Sequence, residues 1–282
     1  MNRITRILIV FLGMLSFIAC SNGEKAKSTV SDTQTDTSTT PQSATFATDS
    51  VFFIDSVSLG KLTTEEQLWG RVSYKCHYPK GNDNYLLAQN NILNWICELY
   101  SDSTHSNKAN MQQLLTNKGL EMFNRFKNEF QEMSLDSDST DEYVDYGTDL
   151  DDAIDITVAF ENDTLITFEY GHTSYWGGAH DNHYFSGTTF NKNTGHRYGY
   201  DLLAKYDEKT LRRLIINGLK EYFEVTTDVE LENELMLLGP LSEIPFPVSS
   251  PYILKDGILL MYQCYEIACY AMGMPSLIIP LE

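Results

Sequence analysis

Residues 171–201, GHTSYWGGAHDNHYFSGTTFNKNTGHRYGYD, hold the densest group of side chains able to do chemistry. His172, His180 and His183 surround Gly177-Gly178, with Glu169 and Asp181 close in sequence. Three histidines raise zinc, whose catalytic sites use three protein ligands and one open position. The spacing argues against it. His180-x-x-His183 is not the i, i+4 pair of a helical zinc site, and the glycines put these residues on a loop between strands. We expect no metal and no cofactor here, but a structural turn whose histidine bonds backbone. Gly177-Gly178 lets the chain turn sharply or lie close to another segment. Tyr175 and Trp176 beside it are either exposed recognition anchors or core packing.

Carboxylates are the other candidates. Glycoside hydrolysis needs a pair of them, but among 39 Asp+Glu their presence discriminates nothing. Glu266, between Tyr265 and Ile267, is the best single candidate, because apolar flanks suit a general acid. The reading preferred for it is a structural carboxylate bonded to the Gly177–His180 loop, so no catalytic residue is assigned. The acidic run Leu135–Leu150 suits a hard cation such as calcium but lacks EF-hand spacing, and reads as a solvated edge.

These residues need a scaffold. Val51–Leu59 and Arg71–Tyr78 read as strands, the second stopped by Pro79. Apolar residues from Leu86 to Tyr100 recur at helical spacing, and a second helix is expected over about residues 109–133. Ile154–Phe160 and Leu165–Tyr170 read as a hairpin, and His183–Phe190 as a further strand ending at the turn Asn193-Thr194-Gly195. Glu208–Phe223 is a helix with Leu211, Leu214, Ile215, Leu219 and Phe223 inward. Pro240–Pro251 is a connector, and Gly257–Tyr265 and Ser276–Leu281 are closing strands. Helices and antiparallel-style strands without a βαβ rhythm predict an α+β fold: mixed or antiparallel sheets, a few packed helices, two intimately associated subdomains.

The N-terminus gives the location. Arg3 and Arg6 precede an apolar run from Ile7 to Ala19, too short to span a bilayer, which needs roughly 20 residues. This is a signal peptide over residues 1–19. Phe17-Ile18-Ala19-Cys20 resembles the lipobox of bacterial lipoproteins, in which the cysteine is diacylated; Cys20 is the expected lipidation site. Several acyl chains give stable anchoring where one is marginal. Residues 20–49 are Ser/Thr-rich and read as a tether. The resemblance implies a lipid-anchored, extracytoplasmic envelope protein, at the outer membrane in a cell that has one.

The chain carries 20 Lys+Arg against 39 Asp+Glu, a charge of −19; removal of Arg3 and Arg6 leaves 18 against 39, or −21. Such a surface repels nucleic acid and anionic lipid and attracts cations. Its bland reading is solubility. Four cysteines follow Cys20, namely Cys76, Cys97, Cys264 and Cys269, with no zinc-ribbon or redox spacing. Cys76 and Cys97 read as small buried hydrophobes, and a bridge between them requires their strand and helix to pack together.

One resemblance covers most of residues 50–282. Tyr175-Trp176-Gly177-Gly178-Ala179-His180, then Phe190-Asn191-Lys192-Asn193-Thr194-Gly195 and Asp201-Leu202-Leu203, resemble the extracytoplasmic domain of RsiV-type anti-sigma factors. Tyr262, Tyr265-Glu266-Ile267-Ala268-Cys269-Tyr270-Ala271-Met272-Gly273 and Ile278-Ile279-Pro280 resemble that domain's end. Val72–Pro79 with Asn90-Asn91-Ile92 resembles the companion module of RsiV and of PdaC-type peptidoglycan deacetylases. The resemblance implies modules over 50–150 and 151–282 and a binding or sensing role, since the region recognises lysozyme in RsiV-type proteins. Asp181 and Cys269 stand where that family commonly has glycine and proline. The tentative binding residues are Tyr175, Trp176, Gly177, Gly178, His180 and Glu266. The expected partner is a cationic protein such as lysozyme or an envelope glycan, and not nucleic acid. The alternatives are an envelope glycan hydrolase and a structural lipoprotein.

Overall fold

The computed structural model describes residues 46–61, 67–81, 83–100, 110–136 and 149–281. Cys20, the residue 1–19 leader and Asp138–Asp145 of the acidic run lie outside the described residues. The fold is α+β, with a five-stranded mixed sheet, a three-stranded antiparallel sheet and four α-helices among the described residues.

The large sheet runs in chain order: β1 (Thr48–Gly60), β2 (Leu68–Pro79), β3 (Leu150–Glu161), β4 (Leu165–Tyr175) and β5 (Asn182–Asn191). All neighbours are antiparallel except β2 and β3, which pair in parallel. Between those two strands the chain forms α1 (Leu86–Tyr100) and α2 (Met111–Asp136). Both helices cover one face of the sheet, here the inner face. Period-two alternation turns Val72, Tyr74, Cys76, Ile154, Ile156, Ile166 and Phe168 toward them, all buried. Trp95 of α1 packs between Phe168 and Phe190, with ring centroids 6.2 and 6.0 Å away. Gly70 and Gly119 permit close approach: a Cβ on either would lie inside the rings of Phe126 and Phe53.

The second core begins after the sheet. A 3-10 turn over Tyr200–Leu203 leads to α3 (Glu208–Phe223) and α4 (Asp228–Glu234), which pack with β6 (Tyr252–Leu254), β7 (Gly257–Met261) and β8 (Ser276–Ile279). Asp207 caps α3 by accepting from Thr210 N–H. Thr227 and Glu230 form a full capping box on α4. This part sits on the outer face of β4 and β5. Tyr252 covers Gly187 and its hydroxyl donates to Glu169 at 2.9 Å, while Gln263 exchanges two hydrogen bonds with the Phe185 backbone, at 3.1 and 2.7 Å. The first core ends at Phe190 and the second starts at Leu203. The expected module boundary at residues 150/151 therefore cuts the large sheet, because β3–β5 bury their inner face against α1.

Among the described residues nothing covers the outer face of β1–β3. Phe52 and Ile54 are exposed there, at 65% and 58%. The free edge of β1 is blunted nonetheless. Ser50 N–H donates to the Asp49 carboxylate, Ser56 N–H to that of Asp55, and Gln112 of α2 donates to the Phe52 carbonyl. Side chains thus occupy backbone groups that another strand would need.

Candidate functional site

The sequence-selected turn closes the β4–β5 hairpin. Alternation along β4 continues past Tyr170, putting Tyr175 on the outer face and sending Trp176 inward. Trp176 packs on Phe126 at 5.0 Å between centroids, with the Arg125 guanidinium over its ring at 5.0 Å. It is a half-buried core residue, which corrects the reading of Trp176 as an exposed anchor. Tyr175 donates from its hydroxyl to the Gly178 carbonyl at 2.9 Å, tying the turn closed. Gly177 and Gly178 have φ of 89° and 99°, and a Cβ at Gly178 would meet nothing within 4 Å. Gly178 is therefore needed for backbone conformation and not for close approach.

The three histidines do not converge. Across the β4–β5 register His172 faces Tyr184 and Thr173 faces His183, so His172 is on the inner face and His183 on the outer. Among the described residues no three His, Cys, Asp or Glu side chains could hold a metal ion. His180 stacks instead on Tyr270, with centroids 3.7 Å apart and planes at 14°. Its Nδ1 bonds the Asp181 carbonyl at 2.9 Å and its Nε2 the Tyr265 hydroxyl at 3.0 Å. A carbonyl only accepts, so Nδ1 carries the proton and, in the neutral ring, Nε2 accepts from Tyr265. His183 lies 6.1 Å from Tyr270. Tyr265 is 57% exposed and held at φ 66°, a left-handed conformation costly for a bulky side chain.

Glu266 holds up this loop from behind. Its two oxygens accept from Val248 N–H at 2.7 Å and Gln263 N–H at 2.8 Å. The expected bond to the Gly177–His180 loop is not made; Glu266 joins the Pro240–Pro251 connector to the Gln263 turn. Both oxygens being engaged by backbone, it is a poor proton donor to a ligand. Sequence reasoning overlooked Tyr265 and Tyr270, whose role depends on a loop more than eighty residues from His180.

Beside this aromatic group the outer face is acidic. Asp149 and Asp151 flank Arg71, at 2.5 and 3.9 Å. Burial pushes the Asp151 carboxyl up, Arg71 pulls it down, and the carboxylates of Asp149 and Asp181 push it up further. Asp181 is exposed and has no ion pair among the described residues. The result is an aromatic group bordered by unneutralised negative charge.

The inner face holds a second polar cluster, joined by strand register and not by any local pattern. Tyr74 donates to buried Asp152 at 2.5 Å, and the other Asp152 oxygen bonds His172 Nε2 at 2.8 Å. The carboxylate fixes the proton on Nε2 and leaves Nδ1 as the accepting nitrogen. No Ser, Thr or Cys among the described residues hydrogen-bonds Nδ1, so the cluster lacks a triad's nucleophile. Among the described residues no two cysteines are joined. Cys76 and Cys97 are buried and form no disulfide, although their strand and helix pack together, and Cys264 and Cys269 form none either.

Comparison with known proteins agrees with the second core. Residues 200–282 match the model of the DUF3298 family, described as proteins of unknown function. No curated protein matches the chain. A DUF3298 family member from Bacteroides fragilis has a similar structure, with TM-score 0.66 and 17% identity over 84% of this chain and 91% of that one. Another from Pseudomonas aeruginosa matches with TM-score 0.50 and 12% identity over 83% and 91%. At these identities the likeness is one of fold. The segment that matches DUF3298 supplies Tyr265, Glu266 and Tyr270; the large sheet and its β4–β5 turn supply His180, His183 and the acidic residues.

Proposed function

We propose that this protein is a lipid-anchored, extracytoplasmic binding and sensing protein that docks a cationic protein, with lysozyme the first candidate. The observation that carries the reading is the His180–Tyr265–Tyr270 group beside Asp181 and Asp151. A strained backbone presenting an exposed tyrosine fits a recognition loop better than packing, because strain persists where function uses it. Aromatics stacked against one another offer rigid contact area at low entropic cost. The acidic border then steers and orients a basic partner. Arg3, Arg6, the short apolar run and Cys20 support lipid anchoring. The resemblance to RsiV-type and PdaC-type modules favours lysozyme among basic proteins. The hydrolase reading loses support, because Glu266 has both oxygens engaged by backbone N–H groups.

The test is binding of immobilised protein to hen-type lysozyme over a salt series, with an equally basic unrelated protein as control. Binding that survives moderate salt, is selective, and is lost in Tyr265→Gly and Asp181→Lys supports the reading. Equal, salt-sensitive binding to both proteins, or none to either, overturns it.

A further inference from the structure

The open half of the outer face carries a second surface, apart from the His180–Tyr265–Tyr270 rings and meeting their acidic border at Asp151. Cross-strand pairing on this face sets Ser50 opposite His77, Phe52 opposite Lys75, Ile54 opposite Ser73 and Ser58 opposite Trp69. Trp69 is 38% exposed, and with Phe52 and Ile54 it makes an apolar line along the strands. From Ser58, the partner of Trp69, to Phe52 is six residues, or about 20 Å at strand rise. Shallow hollows lie on both sides of Ile54. One is bordered by Lys75, His77 and Asp155, the other by Arg71, Ser73 and Asp151. Lys75 has no ion pair among the described residues, although Asp155 stands beside it in register.

We infer that this face is a platform for a linear, carboxylate-bearing envelope glycan. The two terminal rings are spaced for sugars some units apart along one chain, with Ile54 between them. Sugar C–H faces pack on Phe52 and Trp69 as apolar surface does on any aromatic ring. Ser50, Ser56 and Ser73 offer hydroxyls of both donor and acceptor type, which suits a polyol. Lys75, which makes no ion pair among the described residues although Asp155 borders the same hollow, supplies the positive charge for a carboxylate. The blunted edge argues against the competing occupant, an added β-strand from a peptide or a second copy, because Asp49, Asp55 and Gln112 already fill backbone positions such a strand would use.

The test is co-sedimentation of the full-length protein with purified peptidoglycan sacculi, paired with titration of a neutral N-acetylglucosamine tetramer. Wild type pellets with sacculi. Phe52→Ala with Trp69→Ala weakens binding of both glycans at least tenfold, whereas Lys75→Glu weakens sacculus binding and leaves the neutral tetramer unchanged. Ile54→Glu, a change at an exposed position, repeats the loss on sacculi should the double variant misfold. All of these variants keep lysozyme binding, so failure here is separable from failure of the docking reading. Wild type that stays in the supernatant, folded variants that bind sacculi as wild type does, or a face that instead mediates self-association overturns the inference.

Discussion

The Tyr74–Asp152–His172 cluster gives the sharpest test of the inner face. Tyr74 is fully buried and Asp152 is 2% exposed, so water cannot replace the phenol if it is removed. Tyr74→Phe takes away one of the two donors on a buried carboxylate and leaves one oxygen unpartnered. A hydrogen bond to a charged group is worth roughly 1.5–3 kcal/mol, and the phenylalanine fills the same space, so the expected loss is about 2–3 kcal/mol. At about 2–4 °C per kcal/mol for a unit of this size, the melting temperature should fall by roughly 4–12 °C. Asp152→Asn removes the charge that demands two donors, and its amide can donate back to the Tyr74 oxygen. In that background Tyr74→Phe should cost less than about 1 kcal/mol, a coupling in the usual range for contacting residues. Urea unfolding of the four proteins of this cycle measures all three numbers. An equal cost of Tyr74→Phe in both backgrounds, or a cost below about 0.5 kcal/mol in wild type, would refute the reasoning.

Other outcomes follow from the same structure. Tyr265→Gly relieves a left-handed tyrosine but adds chain entropy, so stability should change by less than about 1 kcal/mol while lysozyme affinity drops at least tenfold; a stable variant that still binds contradicts the recognition role. Gly187→Ala pushes a Cβ to 2.5 Å from the Tyr252 ring and disturbs its bond to Glu169, costing about 1–3 kcal/mol in thermal unfolding. Glu230 is held down at about 2 by the Thr226 and Thr227 backbone N–H groups of the α4 cap. A lowered carboxylate stabilises the fold above its unfolded value of 4.5 and loses that contribution as pH falls toward 2; the difference in melting temperature between wild type and Glu230→Gln should shrink over that window. Burial, with Asp152 for Tyr74 and Glu169 for Tyr252, pushes both phenols far above 10.0, and burial with Asp152 takes Tyr170 up to about 12. A raised phenol leaves stability intact below the unfolded value and removes it above, so alkaline unfolding and tyrosinate absorbance should rise together beyond pH 10.0.

Most elements were legible because their signals are local. Helix α3 matches the expected Glu208–Phe223 to the residue, since Asp207 is an N-cap and the apolar spacing stops at Phe223. The alternation from Leu165 to Tyr170 leaves Trp176 open between anchor and core; the same period carried six residues further turns it inward. Helix α4 was missed because Leu231 is its one buried apolar residue; Thr227-x-x-Glu230 was a capping-box signal in plain view. The pairing of Asp152 with His172, and of His180 with Tyr265 and Tyr270, arises from register and tertiary packing, which single-residue patterns do not encode.

The parallel seam between β2 and β3 also sets the order of assembly. Its partners, Gly70 with Leu150 through Cys76 with Ile156, lie eighty residues apart, whereas β1–β2 and β3–β4–β5 are joined by neighbouring chain. Local hairpins close fast and distant pairings slowly, so the two halves of the sheet form early and meet late. Until they meet, β2 presents an edge guarded, among the described residues, by side chains only near its end, where the Cys76 thiol donates to the His77 carbonyl and the Tyr100 hydroxyl to that of Lys75. The vulnerable strand during folding is therefore the one that is central in the finished protein, and this waiting period is when the chain depends most on a chaperone or on low concentration.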